Sequence, residues 1–192
     1  MLIMQVILRI LFLLALAYVG FCILLYVIQR RMIYHPTECV LCTQQNTMTI
    51  PSAEGEKLMI STRVKKKKKA ILYFGGNAED VSLTLPDFAD EFPDHALYFM
   101  HYRGYGGSGG SPSEKALISD AAALFDFVQD RHSHIVVIGR SLGTGVATPL
   151  AATKPVSALI LITPFDSVLG VASTRFPYVP VSLLLHDTYN SG

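Results

Sequence analysis

The chain has no tryptophan, only three cysteines and almost no net charge: 16 Lys and Arg stand against 15 Asp and Glu in 192 residues. Each scarcity excludes something. Proteins dedicated to nucleic acid usually need a large basic excess to offset phosphate charge, so this balance argues against that class. Three cysteines cannot build a disulfide-stapled scaffold. Two of them, Cys39 and Cys42, form a C-x-x-C. A thioredoxin-like pair follows a strand and opens a helix. This pair follows an apolar run with no strong strand before it, so we read incidental thiols or a local disulfide. Two cysteines alone are also too few ligands for a zinc site. No metal and no organic cofactor is expected. Zinc-finger spacing, a phosphate-binding P-loop pattern and internal repeats are missing as well.

Charge is missing most completely from "ILFLLALAYVGFCILLYVI", Ile10–Ile28. As a helix this run is about 28 Å long at roughly 1.5 Å per residue, close to the hydrocarbon thickness of a bilayer. Tyr26 stands near one end, and Arg30 and Arg31 close it. A cleavable signal would have a shorter apolar core ending at a small-x-small site. "ALA" at Ala15–Ala17 fits such a site, but the apolar run continues past it, and bulky Phe21 spoils a lipoprotein signal at Cys22. The expectation is an uncleaved single-pass anchor over residues 1–31, a connector over 32–46 and a globular domain over 47–192. The membrane side stays open, because Arg9 on one flank nearly balances Arg30 and Arg31 on the other.

Past the connector the pattern changes to short strands and helices. "TMTI" (Thr47–Ile50) and "KLMISTRV" (Lys57–Val64) read as paired strands around a turn-rich "PSAEGE". Lys65–Lys69 read as a solvated turn, with attraction to an anionic membrane surface as the functional alternative. Four apolar runs follow: Ala70–Phe74, Ala96–Tyr102, His134–Gly139 and Val156–Pro164. They read as strands buried on both faces. Helical patterns separate them at Ala78–Phe92, Glu114–Gln129 (with Ser113 as its cap) and Leu142–Thr153. Alternation of this kind predicts an α/β fold, a three-layer arrangement around a mostly parallel sheet. Ligands in such sheets bind beyond the carboxyl ends of the strands. The conspicuous loops, after Phe74, after Tyr102, at Ser141 and after Thr163, all fall at such ends.

"HIVVIGRSLGTGVA" contains G-x-S-x-G at Gly139–Gly143. A nucleophile elbow places its serine on a strained strand-to-helix turn, and glycines two residues to either side remove the Cβ atoms that would clash there. Ser141 is therefore the expected nucleophile. The expected oxyanion donors are the backbone N–H of Leu142 and, from the loop after the Ala70–Phe74 strand, that of Asn77, with Gly76 next.

In its "LYFGGNAED", "YRGYGGSGGSPSE", "GRSLGTGVA" and "LITPFDSV", in that order and spacing, the chain resembles the α/β-hydrolase superfamily, and within it the membrane-anchored serine hydrolases. It departs from many relatives at Gly75 with Phe74 before it, where they carry a histidine, and at His101, where they carry an acid before "YRG". The resemblance implies an acid after a seventh strand and a histidine after an eighth. After Ser141 the chain offers only Asp166 and Asp187 as acids and His186 as histidine. Ser141–Asp166–His186 has the required order. However, His186 follows Thr163 too closely for two further strand-helix-strand units of about 30 residues each. His101, His132 and His134 precede the serine and read as loop or strand-edge residues. The expectation is a hydrolase fold incomplete at its C-terminus, with Val156–Thr163 left as an apolar edge strand.

Two functions follow. One is a serine hydrolase cleaving an ester, thioester or amide, with the lipid bilayer as partner and an acyl ester, thioester or peptide-like substrate. The other is an inactive, truncated hydrolase that serves as a membrane-bound binding module or is a non-functional remnant.

Overall fold

The computed structural model describes residues 1–64 and 68–190. Lys65–Lys67, and with them most of the lysine run, lie outside the described residues. A helix α1 (Leu2–Ile33) precedes strands β1 (Thr47–Pro51), β2 (Lys57–Arg63) and β3 (Lys69–Phe74). Then come α2 (Val81–Glu91), β4 (His95–Met100), α3 (Glu114–Gln129) and β5 (His134–Arg140). A 3-10 turn (Ser141–Gly143), α4 (Thr144–Thr153), β6 (Ala158–Ile162), α5 (Val168–Arg175) and α6 (Val181–Leu184) complete the order.

One sheet runs β1-β2-β4-β3-β5-β6. β1–β2 and β2–β4 pair antiparallel, while β3 pairs in parallel with both β4 and β5, and β5 with β6. Alternation along β3 explains its uninterrupted apolar sequence. Ala70, Leu72 and Phe74 belong to the core packed under α3 and α4, while Ile71 and Tyr73 belong to a second core under α2. A strand covered on both faces has no polar side, as read from "AILYF".

Local rules set the helix starts. α2 begins at Val81 rather than Ala78 because Asp80 caps it, its carboxylate accepting from Ser82 N at 3.0 Å. Ser113 caps α3 as expected, accepting from Ala116 N. The glycine-rich loop after β4 is pinned by Arg103, which forks onto Asp120 of α3 with two 2.8 Å bonds and also reaches Glu54 in the β1–β2 turn. Arg103 and Asp120 are buried, so this pair depends on its mutual neutralisation.

α1 extends beyond the charge-free run at both ends. At 32 residues it is about 48 Å long, longer than the roughly 30 Å of a hydrocarbon core. Its apolar side chains are exposed along most of its length, and it is long and apolar enough to cross a membrane. Its last turns lie against the globular part. Gln29, the one buried residue of the helix, donates to Leu184 O (3.1 Å) and accepts from His186 N (2.8 Å). Arg30 pairs with Asp187, whose other carboxylate oxygen accepts from Glu114 N at the start of α3.

Candidate active site

Ser141 stands where β5 turns into the 3-10 turn and α4, with φ +48°. A non-glycine residue in the left-handed region is strained, and such strain persists only where surroundings enforce it. Here two glycines enforce it. A Cβ on Gly139 would lie 2.5 Å from the Gly143 carbonyl oxygen, and one on Gly143 would lie 2.0 Å from the Phe74 carbonyl oxygen. The strand-to-helix corner therefore presses directly on the end of β3. Thr144 Oγ1 closes the turn by donating to Ser141 O at 2.7 Å.

That contact brings the β3–α2 loop alongside. A Cβ on Gly76 would lie 3.7 Å from Ser141 Cβ. Gly76, expected as a possible oxyanion donor, spends its N–H elsewhere: Glu79 Oε2 accepts it at 2.6 Å. Glu79 is in turn held by Tyr73 Oη (2.8 Å), Thr84 Oγ1 (3.0 Å) and Arg140 (3.5 Å). Burial and the adjacent Glu79 push the Tyr73 phenol upward, so it stays a donor. Among the described residues, the N–H groups of Asn77 and Leu142 carry no hydrogen bond within the chain. The Asn77 side chain is fixed from several sides, accepting from His35 N and Tyr105 Oη at 3.0 Å each and donating to Ile33 O at the end of α1.

Ser141, Leu142 and Asn77 line one end of a cavity of about 610 Å3. The rest of its wall is largely apolar. α1 contributes Leu25, Tyr26, Gln29, Met32 and Ile33, and the segment after β6 contributes Phe165 and residues of α5 and α6. That α1 forms part of this wall was not legible in the sequence, since the contacts join residues 44 and more positions apart.

The structure does not bring Asp166 or His186 to Ser141. Asp166 is exposed after β6 and makes no side-chain hydrogen bond or ion pair among the described residues. His186 is exposed and sets its ring edge-on to Tyr26, centroids 4.7 Å apart. Neither lines the cavity. Among the described residues, no histidine or carboxylate hydrogen-bonds Ser141 Oγ. Of the earlier histidines, His132 is buried against Tyr98 at 2.9 Å and His134 is exposed at the start of β5. His101 stands just past the end of β4, yet it is not solvent-facing. It is 2% exposed, and burial drives its pKa down to about 4. What is assembled is a strained serine, two backbone N–H groups without a partner among the described residues and a largely apolar cavity.

A family model described as "Serine aminopeptidase, S33" (Hydrolase_4) matches residues 65–177. An uncharacterized protein of Mycobacterium tuberculosis is 36% identical over 127 residues, covering 64% of this chain and 45% of that one. The protein called lysophosphatidylserine lipase ABHD12 of Danio rerio is 38% identical over 116 residues, covering 55% of this chain and 30% of that one. The esterase PF2001 of Pyrococcus furiosus superposes with a TM-score of 0.58 at 18% identity, over 79% of this chain and 65% of that one, which supports the α/β-hydrolase fold. The chain spans less than half the length of the curated relatives it matches.

Proposed function

The chain belongs to the serine aminopeptidase S33 family of α/β-hydrolases, and from that premise we propose that Ser141 is the nucleophile of a membrane-bound hydrolase acting on an apolar acyl ester. The Ser141 hydroxyl adds to the acyl carbonyl and gives up its proton to a base, the Leu142 and Asn77 N–H groups receive the developing oxyanion, the alcohol leaves with that proton, and water then releases the acid and restores the serine. Losing one such donor costs on the order of a hundredfold in rate. Residues 1–31 anchor the chain as a single pass, 32–46 connect, and 47–192 carry the hydrolase domain.

The observation that carries this reading is the shared wall. The cavity holding Ser141 is lined by the last turns of the apolar helix, just where Arg30 and Arg31 close its charge-free run. An acyl chain leaving a bilayer at that level enters a largely apolar space within the size range of ligand pockets. That a relative is named a lysophosphatidylserine lipase points the same way.

A second reading has its own observation. His186 is engaged by Tyr26 and its backbone by Gln29, so no general base faces Ser141 among the described residues. A serine hydroxyl without a base is a weak nucleophile, and the chain then binds acyl groups without turning them over.

The test uses the full chain in detergent and a long-chain alkyl fluorophosphonate, with the adduct located by peptide mass spectrometry. Labelling at Ser141 that disappears in Ser141→Ala supports the nucleophile. Equal labelling of the alanine variant overturns it. Binding of a fluorescent fatty acyl probe without labelling of the wild-type chain establishes the binding-module reading.

A further inference from the structure

The connector between α1 and β1 is laced to the globular domain. Thr37 O accepts from Gly106 N, Val40 N donates to Asp80, and Leu41 N donates to Ser82. Cys39 and Cys42 lie on this strap, joined in the structure as a disulfide. Facing both sulfurs is His101, which follows β4. Its Nε2 lies 3.8 Å from Cys39 Sγ and 3.9 Å from Cys42 Sγ, and 2.8 Å from the Ser61 hydroxyl of β2. The three ligand atoms lie within 4.8 Å of one another.

We propose that, in the reduced chain, Cys39, Cys42 and His101 form a binding site for a soft divalent cation of the zinc class, and that the disulfide is its oxidised, cation-free form.

The geometry fits. Zinc–sulfur bonds near 2.3 Å and zinc–nitrogen bonds near 2.1 Å put tetrahedral S–N edges at about 3.6 Å and the S–S edge at about 3.8 Å. The sulfur–nitrogen separations already stand near that value. The S–S bond has to open and the Ser61 hydroxyl has to release Nε2, along a strap whose cysteines sit in the C-x-x-C spacing common to zinc sites. His101 is buried, and imidazole is the commonest metal-ligating side chain. Its ring is positioned by Gly106, where a Cβ would lie 2.0 Å from Nδ1, so the loop after β4 backs the far edge of the ring while Nε2 faces the sulfurs. Three protein ligands leave a fourth position for water. A disulfide alone accounts for less. Bridging residues three apart closes a very short loop and constrains the chain little. The sequence concealed this site because its third ligand lies 59 residues beyond Cys42.

The experiment is a Co2+ titration of the full chain in detergent, reduced with a non-chelating phosphine and then back-titrated with Zn2+. The phosphine becomes its oxide, taking oxygen from water, as the disulfide becomes two thiols. Each thiol releases its proton on binding the cation. The expected result is one equivalent of Co2+ per chain, with a sulfur-to-cobalt charge-transfer absorption that Zn2+ abolishes. Oxidised protein should show no such absorption. Cys39→Ser and Cys42→Ser should weaken binding by roughly a hundredfold, and His101→Gln by at least about tenfold, while Cys22→Ser leaves it unchanged. Because His101→Gln disturbs a buried position, the wild-type chain supplies a second readout: Zn2+ should raise its thermal midpoint only when it is reduced. No charge-transfer band in reduced protein, unaltered affinity in His101→Gln, equal binding by oxidised protein, or loss on Cys22→Ser would each overturn the proposal.

Discussion

β3 and β6 are written in nearly the same alphabet, "KAILYF" and "ALILI", and lie two places apart in one sheet. Yet β3 is buried from Ala70 to Phe74, whereas Ile160, Leu161 and Ile162 of β6 are 46%, 38% and 38% exposed. The composition of a strand does not decide its burial; the helices laid over it do. β3 lies between the α2 core and the α3–α4 core, while α5, after β6, has no buried residue. The site divides along the same line. Ser141, Leu142 and Asn77 rest on the densely packed centre. The outer wall of their cavity is held by a few polar latches, Gln29 to Leu184 and His186, and Arg30 to Asp187, together with one buried anchor, Tyr189, whose hydroxyl meets that of Tyr34 at 2.8 Å.

The comparison is tested most severely at Gly143. Alanine there would drive its Cβ to 2.0 Å from the Phe74 carbonyl oxygen, backbone at the end of the central strand β3. That backbone cannot yield as a flexible side chain would. Gly143→Ala should cost about 4 kcal/mol or more, seen as loss of cooperative unfolding by circular dichroism in detergent. A stable variant with an unchanged midpoint would mean that the corner at Ser141 is not held by close backbone packing.

The latch gives a smaller and more local effect. Gln29→Ala removes the donation to Leu184 O and the acceptance from His186 N. At about 0.5–1.5 kcal/mol each, these bonds should set the local stability of residues 181–190 and leave the global midpoint nearly unchanged. Hydrogen exchange in that segment should quicken roughly tenfold while β3 and β5 keep their protection. Equal acceleration in β3 would show that the outer wall and the sheet centre unfold as one unit.

The densely packed half was also the legible half. Its strands announce themselves as apolar runs and its helices by period and cap, because burial on two faces leaves no other composition workable. The Ser141 corner was readable from two glycines, since each has a neighbour that forbids a side chain. What failed to show were features created by distance. Gln29 and Arg30 end the apolar run, and nothing in the sequence tells that they latch onto Leu184, His186 and Asp187. The fixing of Asn77 by Ile33 and the facing of His101 to Cys39 and Cys42 join residues 44 and more positions apart. Glu79, in the quoted "GGNAED", takes the Gly76 N–H through a carboxylate whose direction no local pattern encodes.

The smallest expected effect has the opposite sign to the first and lies on the other side of the comparison. Gly170 is in the first turn of α5, exposed, with its N–H donating to the Ser167 cap at 2.9 Å. A Cβ there would meet only Ser167 Oγ, at 3.2 Å, in place of the backbone that blocks Gly143. A serine hydroxyl on an exposed turn can give by a few tenths of an ångström. Alanine is favoured over glycine inside a helix by up to about 1 kcal/mol, and a slightly bent cap returns part of that. Gly170→Ala should therefore be neutral or stabilising by roughly 0.5 kcal/mol, within the range of ordinary surface substitutions. Thermal unfolding alongside Gly143→Ala in the same detergent measures both glycines on one scale. A loss above about 1 kcal/mol at Gly170 would show that α5 is packed as tightly as the centre of the sheet, and the division between the two halves would fail.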